Sequence, residues 1–188
     1  MVTEPRWRRG VFIGLGANLG DPCAQMRDAL RRLDAMPEVR LRAVSRPYRS
    51  PPWGLREQPE FTNAVAEVET PLAAADLLPR LLAVERDGGR ERGGGRWGPR
   101  TIDLDLLLDG ATVVDRPGCR VPHPRLHERA FVLVPLWELA PQAMIPGRGR
   151  VAALLDAIDA AERSAVAALP TSIDPRAAAR RSSGATAR

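Results

Sequence analysis

Residues 96–108 read RWGPRTIDLDLLL, and the reading of this stretch decides the fold. Ile102, Leu104, Leu106 and Leu108 come at every second position, the period of a strand with one buried face. Asp103 and Asp105 hold the alternate positions. A strand therefore aims both carboxylates away from the leucines, roughly 7 Å apart at about 3.3 Å rise per residue. Two bare carboxylates so placed repel each other, and one must take up a proton unless a cation sits between them. Hard oxygen ligands suit Mg2+, which takes one or two carboxylates together with water and phosphate oxygens. A lone pair of this kind more often decorates a solvated sheet face. Here Arg90, Arg92, Arg96 and Arg100 precede it in a stretch with six glycines between Gly88 and Gly98. A basic, glycine-rich loop is suited to closing over a metal-bound polyphosphate, and the features together point to phosphoryl transfer.

Upstream, Val11–Leu15 (VFIGL) reads as a short apolar strand running into a glycine turn at Gly14, Gly16 and Gly20. Asp21 and Pro22 give an N-cap followed by proline at the first helical position. Cys23, Met26, Leu30 and Leu33 recur at helical spacing, and Pro37 closes that helix. A half-buried second strand covers 39–44 and runs into the proline-rich turn at 50–54. Residues 61–69 alternate again as a third strand. Thr70 and Pro71 repeat the cap-plus-proline signal ahead of a helix carrying Leu77, Leu78, Leu81 and Glu85, with Pro79 expected to kink it or mark its start. The order is βαββαβ, a ferredoxin-like α+β core with two helices on one face of an antiparallel sheet, plus C-terminal helical and loop additions. These additions include an amphipathic run from Val151 to Ala161. The expected division is a flexible N-terminus at 1–9, one domain at 10–169 and a disordered tail at 170–188.

Composition narrows the chemistry. The 188 residues are 44% hydrophobic and 27% charged, a globular balance. No apolar run approaches the roughly 18 residues that span a bilayer, and no signal peptide is apparent, so a cytoplasmic protein with no membrane partner is expected. Cys23 and Cys119 are too few for a disulfide framework. All 28 basic residues are arginine and the net charge is +5. Without lysine, P-loop and Schiff-base chemistry are excluded, while arginine suits bidentate phosphate recognition. The dinucleotide fingerprint fails because Leu19 stands where its last glycine belongs. A basic nucleic-acid-binding module without catalytic activity is the alternative. It needs basic and aromatic residues spread over a surface, whereas the arginines here concentrate in the glycine loop and the tail. No nucleic-acid partner is therefore expected.

The motif RWGPRTIDLDLL resembles the signature of the 6-hydroxymethyl-7,8-dihydropterin pyrophosphokinases. FIGLGANLGD, YRSPPWG, QPEFTNAV and VPHPRLHERAFVLVPL match the same family in the same order, over roughly residues 10–145. The resemblance implies a ferredoxin-like fold and transfer of the β,γ-pyrophosphoryl group of ATP to the pterin hydroxymethyl oxygen, releasing AMP, in folate biosynthesis. It implies two Mg2+ ions bridged by Asp103 and Asp105, one across the α- and β-phosphates and one across β and γ. Arg90 and Arg92 match the arginines of the family's catalytic loop. Phe61 and Phe131 match the rings that sandwich the pterin, and Asn63 matches the amide that reads its polar edge, with Ser50, Pro52 and Trp53 alongside. Glu85, Arg92, Trp97, Arg100, Leu106, His123 and Arg129 fall on positions resembling the ATP contacts. Gly93 and Gly118 depart from the family pattern, and Arg120 is the candidate substitute for a basic residue at the latter. His123 and His127 have a spacing compatible with zinc but no third ligand nearby; the resemblance makes His123 a phosphate or ribose contact. Partners implied are ATP and the pterin, with a monomer and a loose association with other folate-pathway enzymes as further expectations.

Overall fold

The computed structural model describes residues 6–53, 57–89 and 98–177. Strand β1 (Arg8–Ala17) outruns the five residues expected, because Gly14 and Gly16 stay extended and only Gly20, at φ +63°, turns the chain. Asp21 then caps α1 (Pro22–Asp34), its Oδ1 accepting from the Ala24 N–H at 3.0 Å, with Pro22 in the first turn as its fixed φ favours. β2 (Arg40–Val44) is followed by β3 (Tyr48–Ser50), a short strand that ends at Ser50, where the turn was expected to begin. Both pair antiparallel with β4 (Phe61–Thr70), β2 along residues 66–69 and β3 along residues 61–63, forming one interrupted edge. Thr70 does not cap a helix. It ends β4, its Oγ1 accepts from the Leu72 N–H at 3.1 Å, and α2 (Ala74–Asp87) starts later. Pro79 lies inside α2, neither at its start nor at its end.

β5 (Asp103–Asp109) pairs with β1 and β1 with β4, all antiparallel, so the core sheet runs β2/β3–β4–β1–β5, the ferredoxin-like order. Val11, Ile13 and Leu15 of β1, Ala64, Ala66 and Val68 of β4, and Leu104 and Leu106 of β5 pack with α1 and α2 into the main core. The alternation expected along β5 breaks at a bulge. Phe12 pairs with Leu108 but Ile13 with Leu106, so Leu107 is the extra residue. Leu108 consequently leaves the Ile102–Leu104–Leu106 face and joins Leu107, Phe12 and Val65 on the other side of the sheet. Parity counting cannot foresee this, since one inserted residue reverses every side chain after it.

The second side is roofed by elements C-terminal to β5. The hairpin β6 (Val114–Arg116) and β7 (Cys119–Val121), turning at Gly118 with φ +79°, is the exception and buries Cys119 and Val121 in the main core. A 3-10 turn at Leu126–Glu128 leads into α3 (Ala130–Leu139). Leu133 and Leu136 of α3 pack with Phe12 and Leu107 in a second core. After the small hairpin β8 (Met144–Ile145) and β9 (Gly149–Arg150), the run expected as one helix divides into α4 (Val151–Ala157) and α5 (Ala160–Ser164), the latter capped by Asp159. β10 (Ala167–Ala168) pairs with β3 and extends the sheet.

Two segments that the sequence assigns to its ends pack on the body of the fold. At the front, β1 begins at Arg8, and the Arg40 guanidinium stacks 3.7 Å from the Trp7 ring centre. At the back, residues 170–177 pack on the body: Ile173 is fully buried in the main core, and the Arg176 guanidinium donates to the carbonyls of Leu41 and Arg42. A single isoleucine in a polar segment has no periodicity to reveal its burial. Among the described residues no helix is long and apolar enough to cross a membrane. Replacing Ile173 with alanine should lower the unfolding free energy by about 2–4 kcal/mol, as large-to-small core changes do. Urea denaturation monitored by tryptophan fluorescence checks this, and an unchanged midpoint would mean the segment does not brace the core.

Candidate active site

Asp103 and Asp105 stand on β5 opposite Gly16 and Gly14 of β1. A Cβ at Gly14 would come within 3.2 Å of the Leu107 side chain; at Gly16 it would lie 3.5 Å from Asn63 Oδ1 and 4.0 Å from Asp103 Cβ. Glycine at both positions therefore leaves a bare backbone floor in front of the carboxylates. Arg100 forms an ion pair with Asp103, and the Arg129 guanidinium feels both aspartates. The like-charge repulsion is thus offset by arginine. Two hard oxygen groups above an open floor suit a divalent cation such as Mg2+. No cluster of three or more His, Cys, Asp or Glu is present among the described residues. A cation here would accordingly complete its shell with water and ligand oxygens.

The floor continues into a cleft whose far end is flat and apolar. Phe61 opens β4, Phe131 lies in the first turn of α3, and Trp53 follows β3; all three line it. Between them the buried Asn63 donates from Nδ2 to Ser50 Oγ at 2.8 Å. That bond fixes the amide's orientation and leaves Oδ1 as an acceptor facing the glycine floor. The guanidinium carbons of Arg129 and Arg125 lie 4.8 and 5.2 Å from the Trp53 ring centre, and that of Arg129 lies 5.6 Å from Phe131. Arg129 thus joins the ring end to the carboxylate end. Burial lowers its pKa from the usual range, against the pull of Asp105, and its Nε is buried with no hydrogen-bond partner among the described residues. A buried guanidinium donor of this kind is satisfied by an incoming acceptor.

His123 sits beside the cleft. Its backbone N–H donates to Leu107 O at 2.8 Å, and its Nδ1 accepts from the Arg125 N–H at 3.3 Å. Burial, followed by the positive charge of Arg129, holds its pKa down to about 4, with Asp103 opposing. The ring is therefore neutral near pH 7, with Nδ1 as acceptor and the proton on Nε2.

The cleft gathers nine of the residues singled out from sequence: Ser50, Trp53, Phe61, Asn63, Arg100, Asp103, Asp105, Arg129 and Phe131. Others fall elsewhere. Pro52 is not among the lining residues, where Pro51 stands instead. Leu106 turns its side chain into the helix-side core, so any ligand contact would have to be through its backbone. Glu85 is buried beneath β5, its Oε1 accepting from the Leu104 N–H at 2.7 Å, and holds the strand rather than lining the cleft. His123 lines a neighbouring depression with His127 and Arg120. Arg90, Arg92 and Trp97 lie outside the described residues. Gly118 meets the turn's demand for positive φ, and Arg120 is paired with Asp115 at 3.0 Å. Sequence reasoning missed Gly14 and Gly16 as floor residues, having read them as a turn; their shared parity across from the aspartates was the available signal.

Known proteins resemble the chain in sequence and in fold. Residues 12–141 match the family model described as 7,8-dihydro-6-hydroxymethylpterin-pyrophosphokinase (HPPK). The chain is 47% identical over 147 residues to the 2-amino-4-hydroxy-6-hydroxymethyldihydropteridine pyrophosphokinase of Pseudomonas aeruginosa, covering 78% of this chain and 90% of that one. It is 45% identical over 137 residues to the protein of that name from Methylorubrum extorquens, covering 72% and 85%. Among solved structures, a triple mutant of Plasmodium falciparum HPPK-DHPS superposes with a TM-score of 0.62 at 10% identity, over 83% of this chain and 45% of that one. Another HPPK-DHPS, in complex with substrates, gives 0.57 at 12% identity, over 80% and 43%. The chain spans less than half of those two proteins, and at such identity they speak for the fold alone.

Since the chain has only two histidines, proton NMR of the metal-free protein can follow His123 directly, and its ring should titrate near pH 4. Because the folded pKa lies below the unfolded value of about 6.5, the unfolded chain binds more protons between these limits. Stability from this group is complete above about pH 6.5 and is lost as pH falls toward 4. A His123 resonance titrating near 6.5 would contradict its burial among arginines.

Proposed function

The chain belongs to the 7,8-dihydro-6-hydroxymethylpterin-pyrophosphokinase family, and we propose that its cleft transfers the β,γ-diphosphoryl group of ATP to the hydroxymethyl oxygen of the pterin, leaving AMP. It is a pterin pyrophosphokinase of folate biosynthesis that uses ATP as co-substrate. The observation that carries our reading of the site is the division of one cleft into two chemically distinct ends. Aromatic rings and an oriented carboxamide form one end; paired carboxylates, a glycine floor and arginines form the other.

At the ring end, Phe61 and Phe131 offer flat apolar surfaces for the bicyclic pterin, and Trp53 extends that wall. Asn63, steadied by Ser50, presents Oδ1 to an N–H of the pterin edge, so the ring enters in one orientation. At the other end Arg100 and Arg129 receive phosphate oxygens, which suits the Arg129 Nε donor, unpartnered among the described residues. His123, neutral, offers its Nε2–H to an anion without adding charge. Asp103 and Asp105 are the residues that would hold Mg2+, two ions in our reading. When bound, magnesium supplies positive charge against the triphosphate and makes the attacking hydroxyl more acidic. The residues themselves orient both substrates and place compensating charge where phosphoryl oxygens gather, so no nucleophilic side chain is called for. We take residues 10–169 as the body of the catalytic unit, with the start of β1 at Arg8 and the segment carrying Ile173 and Arg176 packed as parts of it.

The test is AMP release from ATP, dependent on both Mg2+ and 6-hydroxymethyl-7,8-dihydropterin. Asp105→Asn should cut turnover at least about a hundredfold while leaving the thermal midpoint unchanged or raised, since it removes a metal-anchoring charge. Near-normal turnover at saturating Mg2+ would sink the metal assignment. A wild-type protein that released no AMP yet bound oligonucleotides tightly at physiological salt would sink the reaction.

A further inference from the structure

Asn18 follows β1 directly, is 5% exposed and is not among the residues lining the cleft. Its carboxamide is engaged at both ends. Oδ1 accepts from the Arg100 N–H at 2.8 Å, while Nδ2 donates to Gln58 Oε1 at 3.2 Å and to the Pro59 carbonyl at 3.1 Å. The Asn18 backbone N–H adds a bond to Arg100 O at 3.1 Å. The two segments it joins are remote in sequence, and each leads into a different end of the cleft. Arg100 pairs with Asp103 on the carboxylate side. Gln58 and Pro59 run into Phe61, whose ring lines the other side. A buried planar amide bonded on both sides cannot tilt without breaking a bond on one of them.

We infer that Asn18 is a positioning residue that holds the Gln58–Pro59 segment and the Arg100 backbone in one fixed relation, thereby setting Phe61 against the carboxylate end of the cleft. The inference rests on the proposed reaction, in which two substrates must meet with reacting atoms aligned. The side chain has two separable arms. Asn18→Asp keeps an acceptor toward Arg100 but removes both donor hydrogens toward Gln58 and Pro59. Asn18→Ala removes both arms. Gln58→Ala removes one acceptor on the ring side and introduces no charge.

The experiment is steady-state AMP release with each substrate varied against saturating amounts of the other, alongside thermal unfolding of every variant. Gln58→Ala and Asn18→Asp should raise the KM for the pterin about fivefold or more, as loss of a buried hydrogen bond would, with the KM for ATP kept within about twofold. Asn18→Ala should in addition lower kcat about tenfold or more, because the two ends lose their common reference. A purely structural role predicts a lower melting temperature with both KM values moving together or neither moving, and that result overturns the inference. Should the Asn18 variants fail to fold, Gln58→Ala decides by the same split. An active wild type without the split removes the inference alone; an inactive wild type removes the reaction and the inference with it.

Discussion

Two carboxylates held side by side on one face of a strand are the constraint around which this structure is arranged. Asp103 and Asp105 cannot both stay ionised in a half-buried place without compensating charge. Compensation comes from Arg100 in direct contact and from Arg129 across the cleft. The strand must also be anchored firmly enough to hold them there. Leu104 and Leu106 do this in the helix-side core, and Glu85 adds a buried hydrogen bond to the Leu104 N–H. Space in front of the pair is kept clear by Gly14 and Gly16, whose missing side chains are as much a part of the site as the carboxylates.

The cleft exists because the two faces of the sheet are covered unequally. Helices α1 and α2 cover one face along its length, burying Leu30, Leu77 and Leu81 among the strand residues. On the other face α3 and α4 reach Phe12, Val65, Leu107 and Leu108 and no further. Gly16, Asn63 and Asp103 lie beyond that roof and are left to line the cleft. The bulge in β5 makes the division possible. It moves Leu108 beneath α3, where a regular strand would send it back to the helix-side core.

Polar connections then hold the walls in place. Tyr48 of β3 donates to Glu138 of α3 at 2.5 Å, and Arg46 pairs with the same carboxylate, tying together the two elements that carry Ser50 and Phe131. Burial and the Glu138 carboxylate raise the Tyr48 pKa to about 12, so the hydroxyl remains a donor. β10 covers the edge of β3, and Ile173 and Arg176 clamp the next segment to the main core and to β2. Residues beyond the reach of the family motifs thus support the edge strand from which the ring side of the cleft is built.

Much of this was legible in the chain itself, because short-range physics governs it. A two-residue period assigns Asp103 and Asp105 to one face, a capping aspartate and a proline start α1, and the βαββαβ order comes from the succession of periods. The family motifs likewise mark Phe61, Asn63, Arg129 and Phe131, which the fold brings into one cleft. What the sequence could not determine depends on partners distant along the chain. Leu107 is an extra residue only because of how β5 registers with β1. Gly14 and Gly16 look like a turn until a neighbouring strand supplies the carboxylates and the asparagine that need the room. Ile173 and Asn18 carry no local pattern at all; one is buried in the main core, the other is held by bonds to residues 40 and 82 positions away. Local periodicity decides which way a side chain points, but only tertiary packing decides what it meets there.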